Sequence, residues 1–184
     1  MSSLNSSLKN LGTLERSKQV YSLSHTGGKE NGGVTLNTQS KTIDIRIFSG
    51  SAASFVHETT HAGQFESGDI AFDGKTGRVL AQDIGDEVAG YKAQFAYAPS
   101  STGVGSFEAI TPQWVQGLGG GNVYVPIGHP NYDPNVSANT GVSHLDINST
   151  RADFIRAYPN YAQMQSLPAN YTLRGSYPSI YYKK

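Results

Sequence analysis

The pattern that most constrains this 184-residue chain is a strand followed almost at once by a helix. Residues 42–48, TIDIRIF, alternate isoleucine with Asp and Arg, which predicts a β-strand with one buried and one wet face. Residues 52–66 predict a helix that Ser49 or Ser51 can cap and Gly68 can end. The pair indicates an α+β domain in which this helix packs against a sheet.

The predicted helix carries the sequence His-Glu-Thr-Thr-His at residues 57–61. His57 and His61 are four residues apart, so they share one helix face and both imidazoles can reach one ion. Glu58 projects beside them, where it can exchange a proton with water held near that ion. The spacing therefore predicts an HExxH site for Zn²⁺, with the two histidines as ligands and Glu58 as general base.

A third ligand must come from elsewhere, because catalytic zinc usually has three protein ligands and an open position. The extended pattern HExxHxxGxxH is absent, since Gln64 and Ser67 stand where it requires Gly and His. That absence argues against a metzincin. It leaves an acidic residue on a second helix, or a distant histidine.

A second helix is predicted over residues 86–97, with Asp83 as its N-cap. One face of it carries Glu87, Tyr91 and Gln94 at helical spacing. The small Gly90 on this helix favours close approach to another backbone, since a mid-helix glycine otherwise costs about 1 kcal/mol against alanine. We expect Glu87 to be the third ligand. Tyr91 is a candidate donor to the substrate oxyanion, and its alternatives are to orient a ligand or to pack in the core.

Other residues stay open for the same roles. Asp83 and Asp86 are alternative acidic ligands, although both suit the cap and first turn of the second helix. His129 and His144 are alternative histidine ligands, and each stands among turn-forming residues typical of exposed loops. Tyr124 is an alternative oxyanion donor.

HETTHAGQF followed by DEVAGYKAQFAY resembles the gluzincin arrangement, in which an HExxH helix precedes a second helix with a glutamate ligand. It is also similar to metallopeptidase domains at the C-terminal ends of bacterial RHS-repeat and related polymorphic toxin proteins. The matching residues are His57, Glu58, His61, Ala62, Gln64, Glu87, Tyr91 and Gln94. The resemblance covers residues 42–97 and departs from the pattern at Gly90, where alanine is expected.

This resemblance implies zinc-dependent hydrolysis of peptide bonds in a protein or peptide substrate, and an effector or toxin role. It also implies a substrate lying antiparallel along an edge strand above the HExxH helix, for which residues 42–48 are the candidate. Two alternatives remain. The metal could serve a structural or protein-interaction module with Glu58 idle, or the enzyme could hydrolyse non-peptide amides or esters.

Composition excludes several other classes. The chain has no cysteine, so thiol nucleophiles and cysteine zinc sites are excluded. Fourteen basic residues balance fourteen acidic ones, which argues against nucleic acid as a partner. No apolar stretch approaches the ~18 residues of a membrane span. The N-terminus lacks the apolar core of a signal peptide, so export would need another route or a longer parent chain.

We expect a single domain over residues 1–184, with a catalytic core at about 18–98 and a loop-rich C-terminal region at about 99–184 that covers the cleft. The sheet should be small and mostly antiparallel, packed on the zinc helix and the second ligand-bearing helix. Three further helices are predicted: one at the N-terminus through Leu4, Leu8, Leu11 and Leu14, and one after each of Thr111 and Thr150. The further strands predicted are a hairpin of residues 18–24 with 34–37 and single strands at 70–72 and 122–127.

Overall fold

The computed structural model describes residues 2–28, 32–48, 51–118, 144–159 and 162–183. Its helices are α1 (Ser2–Arg16), α2 (Ala52–Ser67), α3 (Ile84–Tyr97), α4 (Pro112–Gln116), α5 (Arg151–Ala157), α6 (Ala162–Gln165) and α7 (Leu173–Ser176). Its strands are β1 (Tyr21–His25), β2 (Gly33–Leu36), β3 (Ile43–Ile47), β4 (Ala71–Asp73), β5 (Val79–Leu80) and β6 (Ile180–Tyr181). The α+β prediction is confirmed. No helix within these ranges is long and apolar enough to cross a bilayer.

The first sheet is mixed and has the order β1-β3-β2. β1 runs parallel to β3, with Tyr21 beside Ile43, whereas β2 runs antiparallel to it, with Val34 beside Ile45. The second sheet, β5-β4-β6, is antiparallel in both of its pairings. Within the described residues the sheets are therefore small and mostly antiparallel, as expected.

Two strand predictions are wrong. The hairpin of residues 18–24 with 34–37 does not form, because β3 lies between β1 and β2. For the same reason residues 42–48 are not an edge strand. Both follow from the strong alternation of β3, whose three isoleucines are buried on one face and so favour the centre of the sheet. The turn-rich residues between β1 and β2 predicted a local hairpin, but the burial of the β3 isoleucines outweighs that local preference.

Helix ends follow the local capping chemistry that the sequence predicts. Ser51 caps α2 by accepting a hydrogen bond from the Ser54 N–H, and Gly68 ends the helix in the left-handed conformation at φ 85°. Asp83 caps α3, and the Asp86 side chain accepts the Asp83 N–H at 2.8 Å, which closes a capping box. α3 therefore begins two residues before the predicted start. Ser49 lies outside the described residues.

The core that supports α2 is built from the isoleucine face of β3. Ile45 belongs to an apolar cluster with Ala62 and Phe65 of α2 and Phe72 of β4. α1 packs against α2 and α3 on another side. The C-terminal residues form a separate cluster around Phe154. Residues 119–143, which include the predicted strand at 122–127 and most of the predicted cleft cover, lie outside the described residues.

Asp73 connects the second sheet to the C-terminal segment through hydrogen bonds. Its carboxylate accepts hydrogen bonds from the Lys75 N–H and the Thr76 hydroxyl, both at 2.8 Å, within its own turn. It also accepts hydrogen bonds from the Tyr177 and Ser179 hydroxyls, both at 2.9 Å. Burial raises the pKa of Asp73, but these four hydrogen bonds outweigh it and hold the pKa below its ordinary value.

Asp73→Ala should lower the free energy of unfolding at pH 7 by about 1–3 kcal/mol, because four part-buried hydrogen bonds are lost. Since the folded state lowers this pKa, the stabilisation is present above the ordinary value of 3.8 and is lost as pH falls through the folded pKa. The difference from wild type should therefore narrow below pH 3.8 in chemical denaturation. The exposed Glu108→Ala should change stability by less than about 0.5 kcal/mol. A difference in free energy of unfolding between Asp73→Ala and wild type that does not vary with pH would contradict this account.

Candidate metal centre

Helices α2 and α3 bring three side chains to one point. The Nε2 atoms of His57 and His61 lie 3.1 Å apart. Glu87 places Oε2 3.4 Å from Nε2 of His57 and Oε1 3.4 Å from Nε2 of His61. Two ligands at 2.0–2.1 Å from a tetrahedral ion lie about 3.3 Å apart. The three groups therefore have the spacing of a metal-binding set, and all their ligand atoms lie within 4.8 Å of one another.

The ionisation state of the Glu87 carboxyl group also favours the binding of a cation. Burial raises the pKa of this carboxyl, but the adjacent His61 and His57 outweigh burial and hold the pKa below its usual value. The group is therefore an anion near neutral pH. His57 and His61 are buried, and the Nδ1 of each ring faces a glutamine amide, which leaves Nε2 directed at Glu87.

Glu58 lies beside this centre and does not belong to the converging set. Its Oε2 is buried and has no hydrogen-bond partner among the residues that the structure describes. Burial raises the pKa of Glu58 to about 7, against the opposing effects of His61 and Arg46. A side chain at Gly32 would collide with the other carboxylate oxygen, so the backbone there approaches Glu58 closely. The group can therefore accept and release a proton near neutral pH.

Tyr91 packs on the same centre from α3. Its ring lies edge-on to His57, with ring centroids 4.5 Å apart, and edge-on to Trp114 at 5.0 Å. Burial, together with the charges of Glu87 and Glu58, raises the pKa of Tyr91 to about 12. The phenol therefore keeps its proton and can act as a hydrogen-bond donor at neutral pH.

The rival ligands that the structure describes are engaged elsewhere. Asp83 caps α3 and accepts the Leu145 N–H at 2.6 Å, and Asp86 completes the capping box. His144 is mostly exposed and faces Asp69 and Asp83 instead of the centre. Among the described residues, the only group of three potential metal ligands that converge is His57, His61 and Glu87. His129 and Tyr124 lie outside the described residues.

Four residues around the centre were not anticipated from sequence. These are Gly32, Arg46, Gln82 and Trp114. Gln82 donates from its amide nitrogen to Glu87 at 2.7 Å. Gly32 lies before β2 and Gln82 immediately before the cap of α3, so neither belongs to the periodic pattern of a helix. Only the tertiary arrangement connects them to the HExxH residues.

Comparisons of the chain with protein-family models, with curated proteins and with solved structures find no match.

Gly90→Ala tests whether the approach of α3 sets the centre. An added Cβ would lie 2.9 Å from ring atoms of His57, so the ring or the helix must move. Alanine normally stabilises a helix interior by about 1 kcal/mol, yet here we expect lower stability and at least tenfold weaker zinc binding, measured by chelator competition. Gly12→Ala in α1 is the matched control, because its Cβ would meet only the mobile end of Arg16. Unchanged zinc binding in Gly90→Ala would show that the close approach is not required.

Proposed function

We propose that this chain is a zinc-dependent hydrolase of peptide bonds. In this proposal His57, His61 and Glu87 hold Zn²⁺ and Glu58 is the general base. The observation that carries it is the position of Glu58 beside a convergent set of three ligands. One of its carboxylate oxygens is buried and has no hydrogen-bond partner in the described part of the chain. Structural zinc sites are typically closed by four protein ligands, whereas catalytic sites leave one position for water and substrate.

The donor set favours zinc over Mg²⁺ and Ca²⁺. Two imidazole nitrogens and one carboxylate suit a borderline ion, whereas Mg²⁺ and Ca²⁺ prefer sets made of oxygen. When bound, zinc supplies Lewis acidity, which polarises the scissile carbonyl and makes a neighbouring water a stronger acid.

Glu58 and Tyr91 divide the remaining chemistry. A carboxylate with a pKa of about 7 can take a proton from the attacking water and deliver it to the leaving amine. Tyr91 is a neutral donor beside His57, and we assign it to the oxyanion that develops on the substrate. Tyr91 is thus proposed as the second catalytic residue.

A peptide substrate requires a strand edge, and the edge differs from the one predicted. β3 is paired on both sides, so it cannot take another strand. Among the described strands, β2 lies at the edge of the first sheet, and Gly32, which precedes it, approaches Glu58. We therefore place the peptide along the beginning of β2. The likeness of residues 42–97 to gluzincins and to toxin-associated metallopeptidase domains supports a protein or peptide substrate, with the chain acting as an effector domain.

Glu58→Gln should abolish hydrolysis of a protein and peptide panel while zinc content and thermal stability persist. The amide keeps the size of the side chain but cannot accept the proton. Removing a general base typically costs about 10²–10⁴-fold in rate. Glu108→Gln, at an exposed position, is the matched control and should retain full activity.

The other outcomes of these assays favour a different function or exclude Glu58 as the base. A zinc-loaded wild-type protein that cleaves neither the peptide panel nor a panel of small amides and esters would support a structural or interaction module. Cleavage of the small substrates alone, lost in Glu58→Gln, would support a zinc hydrolase of non-peptide bonds. Full peptidase activity in Glu58→Gln would exclude this residue as the base.

A further inference from the structure

Three glutamines surround the metal centre, and each faces a different member of the ligand set. Gln94 of α3 places Oε1 3.1 Å from Nδ1 of His57. Gln64 of α2 places Oε1 2.7 Å from Nδ1 of His61. The third glutamine is Gln82, whose Nε2 lies 2.7 Å from an oxygen of Glu87.

The orientation of Gln64 is fixed by its second partner. Its Nε2 lies 3.3 Å from the main-chain oxygen of Asp86, which can only accept a hydrogen bond. The amide nitrogen must therefore face Asp86 and the amide oxygen must face His61. Because that oxygen is an acceptor, Nδ1 of His61 carries a hydrogen, and the lone pair of the neutral ring lies on Nε2.

The same reasoning holds for Gln94 on the other helix. Its Nε2 lies 3.3 Å from the main-chain oxygen of Ser101, which again can only accept. Oε1 therefore faces His57, whose Nδ1 must donate. In its neutral form each ring therefore directs an unprotonated Nε2 at the other ring and at the carboxylate.

Gln82 uses the opposite end of its amide. The amide nitrogen of Gln82 can only donate, so Oε1 of Glu87 accepts its hydrogen bond. This hydrogen bond restricts the rotation of the carboxyl group. Each glutamine therefore presents the end of its amide that its own ligand requires.

We propose that Gln64, Gln82 and Gln94 are positioning residues that hold the three ligands in the tautomer and orientation that a metal ion needs. The inference rests on the proposed metal site but not on the bond that the enzyme hydrolyses. Without an ion or a proton between them, two Nε2 lone pairs 3.1 Å apart and a carboxylate 3.4 Å from both repel one another. A cation at the centre removes that repulsion.

The three amides achieve this without adding charge. Partners of metal-binding histidines are often carboxylates, which orient the ring and also add a negative charge. Here the ligand set itself contributes a single negative charge, from Glu87. A glutamate in place of Gln94 would keep the acceptor for His57 and add charge, so it should hold the metal at least as tightly.

The experiment compares Gln94→Met with Gln94→Glu in the full chain, using zinc affinity from chelator competition. Methionine keeps the length and apolar contacts of the side chain but removes the strong acceptor. We expect Gln94→Met to bind zinc about 10–100-fold more weakly than wild type, and Gln94→Glu to bind it as tightly or more tightly. Gln113→Met, at an exposed position of α4, is the control and should bind zinc like wild type.

A second readout needs no zinc. ¹⁵N NMR of the histidine rings in the metal-free protein should show a hydrogen on Nδ1 of His57 in wild type, whether or not Nε2 is also protonated. In Gln94→Met the preference for a hydrogen on Nδ1 should be lost. Gln82→Met gives an independent test through Glu87 if Gln94→Met fails to fold, and it should also weaken zinc binding.

The outcomes separate the two proposals. If wild type binds no zinc, the proposed metal site fails. If wild type binds zinc tightly while Gln94→Met and Gln82→Met bind it equally well, the metal site stands and the positioning role is overturned. A His57 ring without a hydrogen on Nδ1 in wild type would also overturn the role of Gln94.

Discussion

The close approach of α3 to the ring of His57 is the contact on which the centre depends. Gly90 provides it, because any larger residue would place a carbon 2.9 Å from the imidazole. That approach brings Glu87 within 3.4 Å of both histidines, although it comes from a different helix. The strand β3 and its apolar cluster hold α2 from the other side, so that α3 meets a fixed helix face.

The packing of α2 against α3 gives their acidic side chains different surroundings, and these surroundings shift the pKa values of the carboxyl groups in different directions. The histidines hold the pKa of Glu87 below its usual value, whereas burial raises that of Glu58 to about 7. Burial and the charge of Asp83 raise the pKa of Asp86 well above its ordinary value. Acid and base roles commonly arise where environments push pKa values apart in this way. One carboxyl thus suits a ligand, a second suits a base, and the capping pair supports the helix that carries the ligand.

The sequence predicted what local spacing determines. The histidines at i and i+4, the caps at Ser51 and Asp83 and the C-cap at Gly68 depend on residues within one or two helical turns, and the structure places them as expected. Strand order depends on pairing between distant residues, so the predicted hairpin failed against the stronger burial of β3. Gln82 reaches Glu87 from outside the helix, and its partner could not be read from periodicity.

The most direct test is a crystal structure of the protein after loading with zinc. The account predicts one ion bound by Nε2 of His57, Nε2 of His61 and the carboxylate of Glu87, at about 2.0–2.2 Å, with Glu58 beside the ion but not bound to it. An ion whose coordination excludes Glu87, or is completed by His129 or His144, would contradict it.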